Sequence, residues 1–281
     1  MNPRLLPALL LWLAAAAQVE AVEVIGHRGR TAPTQVENSL RRMQATATAG
    51  FGIELDLRRS RDGTLWVLHD ATLDRSTDGH GAIAERSDAE LARVRLRTPD
   101  GHVTEQPLPR FDALAAWWAA RAPLHARMML DLKDASAAEV RPLLQRHGLV
   151  SQAILLTFER AQAEEALRNG GGAPVSVLVT RAQDIADYRR LAAGRPLALY
   201  LPQRSPPALF RAARASGLAT ITDALTTPQG ESLDARAARE GCAAYAAFLA
   251  THPVDVLVSD TPPCVAAGTA RAGPPAAGAA S

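Results

Sequence analysis

Short apolar runs recur along the chain at 22–26, 53–57, 65–68, 128–132, 153–157, 175–179, 197–201, 219–222 and 254–258. Stretches with helical character separate most of them, at 38–49, 137–147, 160–169, 208–216 and 235–250. Strands that are apolar throughout are buried on both faces, and a strand–helix alternation implies parallel pairing. About eight such units in a chain of 281 residues predict one closed TIM-type (β/α)8 barrel, with an open doubly wound sheet less favoured. No G-x-G-x-x-G turn follows the first run, which counts against a dinucleotide fold. Hydrophobic residues make up 47% of the chain, enough for a sizeable core.

Three segments stand outside this rhythm. The first 21 residues open with Arg4, run apolar from Leu5 to Ala17 with one Pro, and end in small residues. They read as a secretory signal peptide, since the apolar run is too short to span a bilayer comfortably. Export to the periplasm or medium is the expectation, without a stable membrane anchor. Residues 71–108 carry many charges, several Gly, a short helical patch around 89–94 and no good strand. In a barrel this predicts an insertion over the mouth, after the run that ends at His69. Residues 268–281 are Ala, Gly and Pro with little else and are expected to be disordered, leaving 22–267 as the barrel. The net charge of +2 shows no basic stripe, so neither nucleic acid nor an acidic membrane surface is expected as a partner. Cys242 and Cys264 either pair in an oxidising compartment or stay free; their spacing is not that of a metal site.

Polar groups collect where the runs end, which is where a barrel keeps its active site. Gly26-His27-Arg28-Gly29 closes the first run. Glu54 and Asp56 lie two apart in the second, so both side chains share a face. His69-Asp70 closes the third, and Asp131 and Lys133 repeat the two-residue spacing at the end of 128–132. Acidic pairs aimed into a packed barrel are costly unless a cation neutralises them. For one pair alone, a structural ion pair with Arg28 or Arg58 would suffice. Several such groups at successive strand ends favour a bound divalent metal, and carboxylate oxygens suit Mg²⁺ or Ca²⁺. Lys133 is the only lysine in a chain whose other basic side chains are Arg; its compact ammonium suits a phosphate oxygen where a planar guanidinium fits poorly.

Taken in order, these residues resemble the glycerophosphodiester phosphodiesterases, within the phospholipase C-like barrel superfamily. The likeness runs through His27-Arg28-Gly29, Glu37-Asn38-Ser39 and Glu54-Leu55-Asp56, then the long stretch from His69 to Gly79. It returns at Asp131-Leu132-Lys133 and at Ser259-Asp260-Thr261-Pro262. The resemblance implies that Glu54, Asp56 and Asp131 hold one divalent cation. It implies that His27 and His69 are the acid–base pair, that Arg28 and Lys133 bind the phosphate, and that Glu37 supports Arg28 or the metal shell. A glycerol hydroxyl would attack phosphorus and expel the alcohol, and water would then open the cyclic phosphate, giving glycerol 3-phosphate.

Two positions depart from the family. Asp131 stands where Glu is usual, one methylene shorter. Asp followed by Lys is the pattern of the related sphingomyelinase D enzymes, but in those the stretch after the second histidine is shorter. The seventh strand, where the family often has an aromatic residue and Asn, reads Thr220-Ile221-Thr222-Asp223-Ala224-Leu225. The alternatives are therefore a sphingomyelinase D-like phosphodiesterase or lyase, or a barrel that binds phosphodiesters without turnover. His80 and His102 are expected to be solvated, and His125, His147 and His252 to lack carboxylate partners. Trp117 and Trp118 are expected to pack a helix on the barrel, and Gly170-Gly171-Gly172 to stop a helix.

Overall fold

The computed structural model describes residues 22–225 and 232–270. The expected signal peptide, and the expected tail beyond residue 270, lie outside the described residues. In chain order the elements are β1 (Glu23–Gly26), α1 (Leu40–Thr48), β2 (Gly52–Arg59), β3 (Leu65–Val67), α2 (Asp88–Leu91), β4 (Arg95–Arg97), β5 (Val103–Pro107) and α3 (Phe111–Arg121). There follow β6 (Met128–Leu132), α4 (Ala137–Arg146), β7 (Ala153–Thr157), α5 (Arg160–Asn169), β8 (Val175–Leu178), α6 (Ala182–Ala192), β9 (Leu197–Tyr200) and α7 (Pro207–Ala215). The last are β10 (Ala219–Asp223), α8 (Leu233–Glu240), α9 (Ala243–Leu249), β11 (Val256–Ser259) and α10 (Pro262–Thr269).

Eight strands, β1, β2 and β6 to β11, pair in parallel with their neighbours in chain order, and β11 returns to β1 to close the ring. The barrel is thus the (β/α)8 fold that the alternation predicts. Alternation along each strand splits its residues between two cores. Ile53, Leu55 and Leu57 of β2 and Met128 and Leu130 of β6 face outward against the helices. Ile25, Met129, Ile154, Ile221, Val256 and Val258 fill the barrel. Helices start where the chain supplies caps. Ser39 accepts from the Arg42 N–H, and Ser136 and Glu139 make a reciprocal box at the start of α4.

The run at 65–68, joined to 53–57 by the Arg61-Asp62-Gly63 turn signal, forms β3, which turns back antiparallel on the end of β2 outside the ring, with Leu57 opposite Val67. Three readings need correction. The insertion expected to lack strands contains the hairpin of β4 and β5, and it owns a separate small core that includes Trp66, Leu73, Ile83, Leu91 and Leu96. The single helix expected at 235–250 is broken into α8 and α9, because Gly241 takes φ of 95°. Finally, α10 runs through Gly268, which had been read as the start of the tail, to Thr269. A Cβ at Gly268 would lie 1.9 Å from the Cys242 carbonyl oxygen, so only glycine lets α10 pack this closely on the start of α9.

Cys242 and Cys264 are joined as a disulfide, which staples that same corner. Gly170 ends α5 as expected, and Trp118 is buried with its indole N–H donating to Gln152 at 3.0 Å. Among the described residues no helix is long and apolar enough to cross a membrane. The cross-link closes a separation of 22 residues, so its reduction, or Cys242→Ser with Cys264→Ser, is expected to cost about 3 kcal/mol of stability. Urea unfolding of the oxidised and reduced protein, read from the midpoints, checks this value.

Candidate active site

The barrel supplies the acidic centre by register. Glu54 and Asp56 point inward from β2, and Asp56 lies opposite Asp131 of β6 in the parallel ladder. One oxygen from each of Glu54, Asp56 and Asp131 falls within 4.8 Å of the other two. Glu54 and Asp56 are buried, and Asp131 is half-buried. Burial pushes the Glu54 carboxyl well above its ordinary range, and the Asp56 and Asp131 charges push the same way. Burial also raises Asp131, although Lys133 opposes it.

The chain's own cations only partly neutralise this centre. Lys133 Nζ lies 2.6 Å from Asp131 and 3.2 Å from Asp56. Burial works against its ammonium, but those two carboxylates outweigh burial and hold its pKa above the usual lysine range. The Arg28 backbone N–H donates to Glu54 at 2.8 Å, its guanidinium donates to Glu37 at 2.9 Å, and its Nε is 3.7 Å from Asp56. Arg28 adopts left-handed backbone angles, φ 52° and ψ 33°, a conformation that costs a non-glycine residue about 1–2 kcal/mol. That turn aims its N–H at Glu54. Gly29 follows because a Cβ there would lie 2.3 Å from the Met43 side chain.

The three carboxylates are met by one ammonium, Lys133, and by an arginine, Arg28, that is shared with Glu37, and a divalent ion would supply the missing positive charge. The donor set fits such an ion, since all three ligands are hard oxygens on rigid strands. Arg28 Nε and Asn38 Oδ1, both buried beside this cluster, find no hydrogen-bond partner in the protein. Asn38 Nδ2 meanwhile donates to Asp56 at 2.8 Å. The polar shell around the triad is built and incompletely satisfied.

Two histidines stand at strand ends of the rim, His27 after β1 and His69 after β3, and each has its own carboxylate. His27 Nδ1 is 2.9 Å from Asp260 Oδ1 at the end of β11, and Arg30 pairs with the same oxygen at 2.6 Å. Burial would raise Asp260, yet His27 and Arg30 hold it below the ordinary range. His69 Nδ1 is 2.7 Å from Asp70. Arg75 pairs with Asp70 at 2.5 Å and with Glu37 at 2.6 Å. Against burial, hydrogen bonds from Arg75 and His69 draw Asp70 down to about 2. The antiparallel return of β3 brings His69 to the rim. Leu68 N–H donates to the Asp56 carbonyl at 3.0 Å, and the Arg58 guanidinium clamps the His69 carbonyl at 2.8 and 3.0 Å. With Nδ1 held, Nε2 of each ring is the nitrogen left to exchange a proton.

Seven of the eight residues singled out in the sequence are joined in one network at the strand ends, and the eighth, His27, precedes Arg28 in the chain and pairs with Asp260. Arg28 and Lys133, expected on a phosphate, here pair with carboxylates. Asp260, Asp70, Arg75, Asn38 and Arg30 were given no roles, although the first four lie within the family-like motifs at 259–262, 69–79 and 37–39; only Arg30 falls outside them. His80 and His102 are exposed. His147, expected to lack a carboxylate, pairs with Asp112 at 2.9 Å on the outer surface.

A family model, the Glycerophosphoryl diester phosphodiesterase family, matches residues 27–262. A bovine protein named Glycerophosphodiester phosphodiesterase 1 is 34% identical over 77 residues, covering 27% of this chain and 23% of the relative, so the chain spans under a quarter of that protein. A glycerophosphoryl diester phosphodiesterase from Parabacteroides distasonis superposes with TM-score 0.74 at 21% identity, over 90% of this chain and 87% of that one. An Oleispira antarctica phosphodiesterase, solved with the product sn-glycerol-3-phosphate, superposes with TM-score 0.68 at 17% identity, over 88% of this chain and 96% of that one.

Two outcomes are expected. Asp131→Ala, which takes one carboxylate out of the triad, weakens Mg²⁺ or Ca²⁺ binding by at least about tenfold in calorimetric titration. Asp70 has a lowered pKa, so its stabilisation is complete above the ordinary 3.8 and is lost as pH falls toward about 2. Denaturant unfolding across that window should show a shallower loss of stability in Asp70→Asn.

Proposed function

The chain belongs to the glycerophosphoryl diester phosphodiesterase family, and on that premise we propose that it hydrolyses glycerophosphodiesters to glycerol 3-phosphate and an alcohol. The observation that carries this reading is the convergence of Glu54, Asp56 and Asp131, together with two carboxylate-supported histidines at the rim. The product seen in the Oleispira antarctica relative supports the substrate class.

One divalent ion, Mg²⁺ or Ca²⁺, held by Glu54, Asp56 and Asp131, would offset charge on the phosphoryl oxygens. Lys133 then leaves its pairing with Asp131 and Asp56 for a phosphate oxygen, and Arg28 takes a second. Glu37, bound by both Arg28 and Arg75, keeps the Arg28 guanidinium turned toward the centre. The neighbouring glycerol hydroxyl attacks phosphorus. One of His27 and His69 takes its proton at Nε2, and the other gives a proton to the departing alcohol. The roles reverse when water opens the cyclic phosphate. Asp260 and Asp70 stabilise each imidazolium as it forms and hold the ring in register.

The chain is exported on this reading. The apolar leader and the Cys242–Cys264 disulfide support an oxidising compartment. A small-molecule substrate is expected, with neither nucleic acid nor a membrane anchor as partner, in keeping with the product held by the Oleispira antarctica relative. In an assay of glycerol phosphate release, His27→Ala and His69→Ala are each expected to lose about 10²–10⁴-fold in kcat. Excess chelator should abolish turnover and added Mg²⁺ or Ca²⁺ restore it. Undiminished release in His27→Ala, or cleavage of sphingomyelin in preference to glycerophosphocholine, would overturn the assignment.

A further inference from the structure

The barrel mouth has a second wall that this chemistry does not use. Tyr200 and Asp223 end β9 and β10, two residues beyond Ala198 and Ile221, which fill the barrel, so both point inward. Tyr200 Oη donates to Asp223 Oδ2 at 2.6 Å. Asp223 Oδ1 accepts from the Leu225 N–H at 3.1 Å and from Gln203 Nε2 at 3.4 Å, and that same amide donates to the Leu225 carbonyl at 2.7 Å. The hydroxyl and amide protons of this corner are thus spent inside it. What remains toward the mouth is negative charge and acceptor oxygen. Burial holds the Asp223 carboxyl above its ordinary range. Beside it, Phe158 follows the end of β7, is 41% exposed, and meets the Tyr200 ring edge-on at 5.4 Å between centroids.

This wall is ill-suited to a phosphodiester anion, which the cations Arg28 and Lys133 on the β1 and β6 side of the mouth attract. It is suited to a donor or a cation. A cationic nitrogen would be repelled by Arg28, Arg75 and Lys133, so within the mouth the acceptor wall is where it can settle. We infer that this wall reads the alcohol: it binds a head group with a cationic nitrogen, using the Asp223 carboxylate as counter-charge and the Phe158 and Tyr200 rings as apolar sides. The preferred substrate is then a zwitterionic glycerophosphodiester, with phosphate and ammonium held at different walls. This rests on the reading of the barrel as a glycerophosphodiester hydrolase.

The test compares kcat/KM for glycerophosphocholine and glycerophosphoethanolamine with that for glycerophosphoglycerol, in metal-saturated enzyme. Wild type should favour the zwitterionic diesters, and Asp223→Asn should cut the zwitterionic-to-anionic ratio about tenfold. Phe158→Ala, at an exposed position, should lower the choline-to-ethanolamine ratio. Choline is titrated by calorimetry into wild type and Asp223→Asn in parallel, and should bind the wild type more tightly. Ratios unchanged in both variants, or an equal loss on every diester, would overturn the inference. Because the choline arm needs no turnover, Asp223-dependent binding in a protein inactive on all diesters would remove the hydrolase reading and leave this one standing.

Discussion

Three carboxylates aimed at one point inside a closed sheet make the most expensive feature of this fold. Their mutual repulsion, added to the loss of hydration, would drive the strands apart or force protonation unless cations converged on the same point. Much of the rim is organised to that end. Arg28 adopts a left-handed turn to offer its N–H to Glu54, Gly29 removes the Cβ that would block that turn, and Lys133 bridges Asp131 and Asp56. Cations of the chain serve the carboxylates in this structure; on the proposed reading a divalent ion would take over that role and leave them available to an anionic substrate.

The rest of the fold brings distant segments to this centre and fixes their geometry. Barrel closure sets β1 beside β2 and β11, which brings His27 close to both Glu54 and Asp260. The β2–β3 hairpin performs the same service for His69, and the insertion, with its own core, carries Arg75 back to Asp70 and Glu37. On the far side the disulfide pins α9 to the start of α10, one turn from the loop that holds Asp260. Asp234 on α8 reinforces that loop by accepting from the Asp260 N–H at 2.8 Å and the Ser259 hydroxyl at 2.7 Å.

The barrel and its carboxylate triad were legible because both are periodic. Charged residues two apart at the ends of apolar runs, Glu54 and Asp56 on one and Asp131 and Lys133 on another, share one face of each strand. The Arg61-Asp62-Gly63 turn signal joins the run at 65–68 to 53–57, and β3 does fold back on β2 there. The β4–β5 hairpin was invisible because its residues are polar and sit outside the barrel core. Asp260 lies more than two hundred residues from His27, so nothing local announced the pair. Tyr200 and Asp223 were missed because each alone is an ordinary strand-end residue, and only adjacency across β9 and β10 joins them.

Diffraction from crystals grown with Mn²⁺ examines the central claim most directly, because the ion reports its own position by anomalous scattering. One peak is predicted, at about 2.0–2.6 Å from oxygens of Glu54, Asp56 and Asp131 together, with Lys133 Nζ drawn away from Asp131. A peak elsewhere on the protein, with Lys133 still clasped between Asp56 and Asp131, would show that the triad is a structural ion cluster and contradict the account.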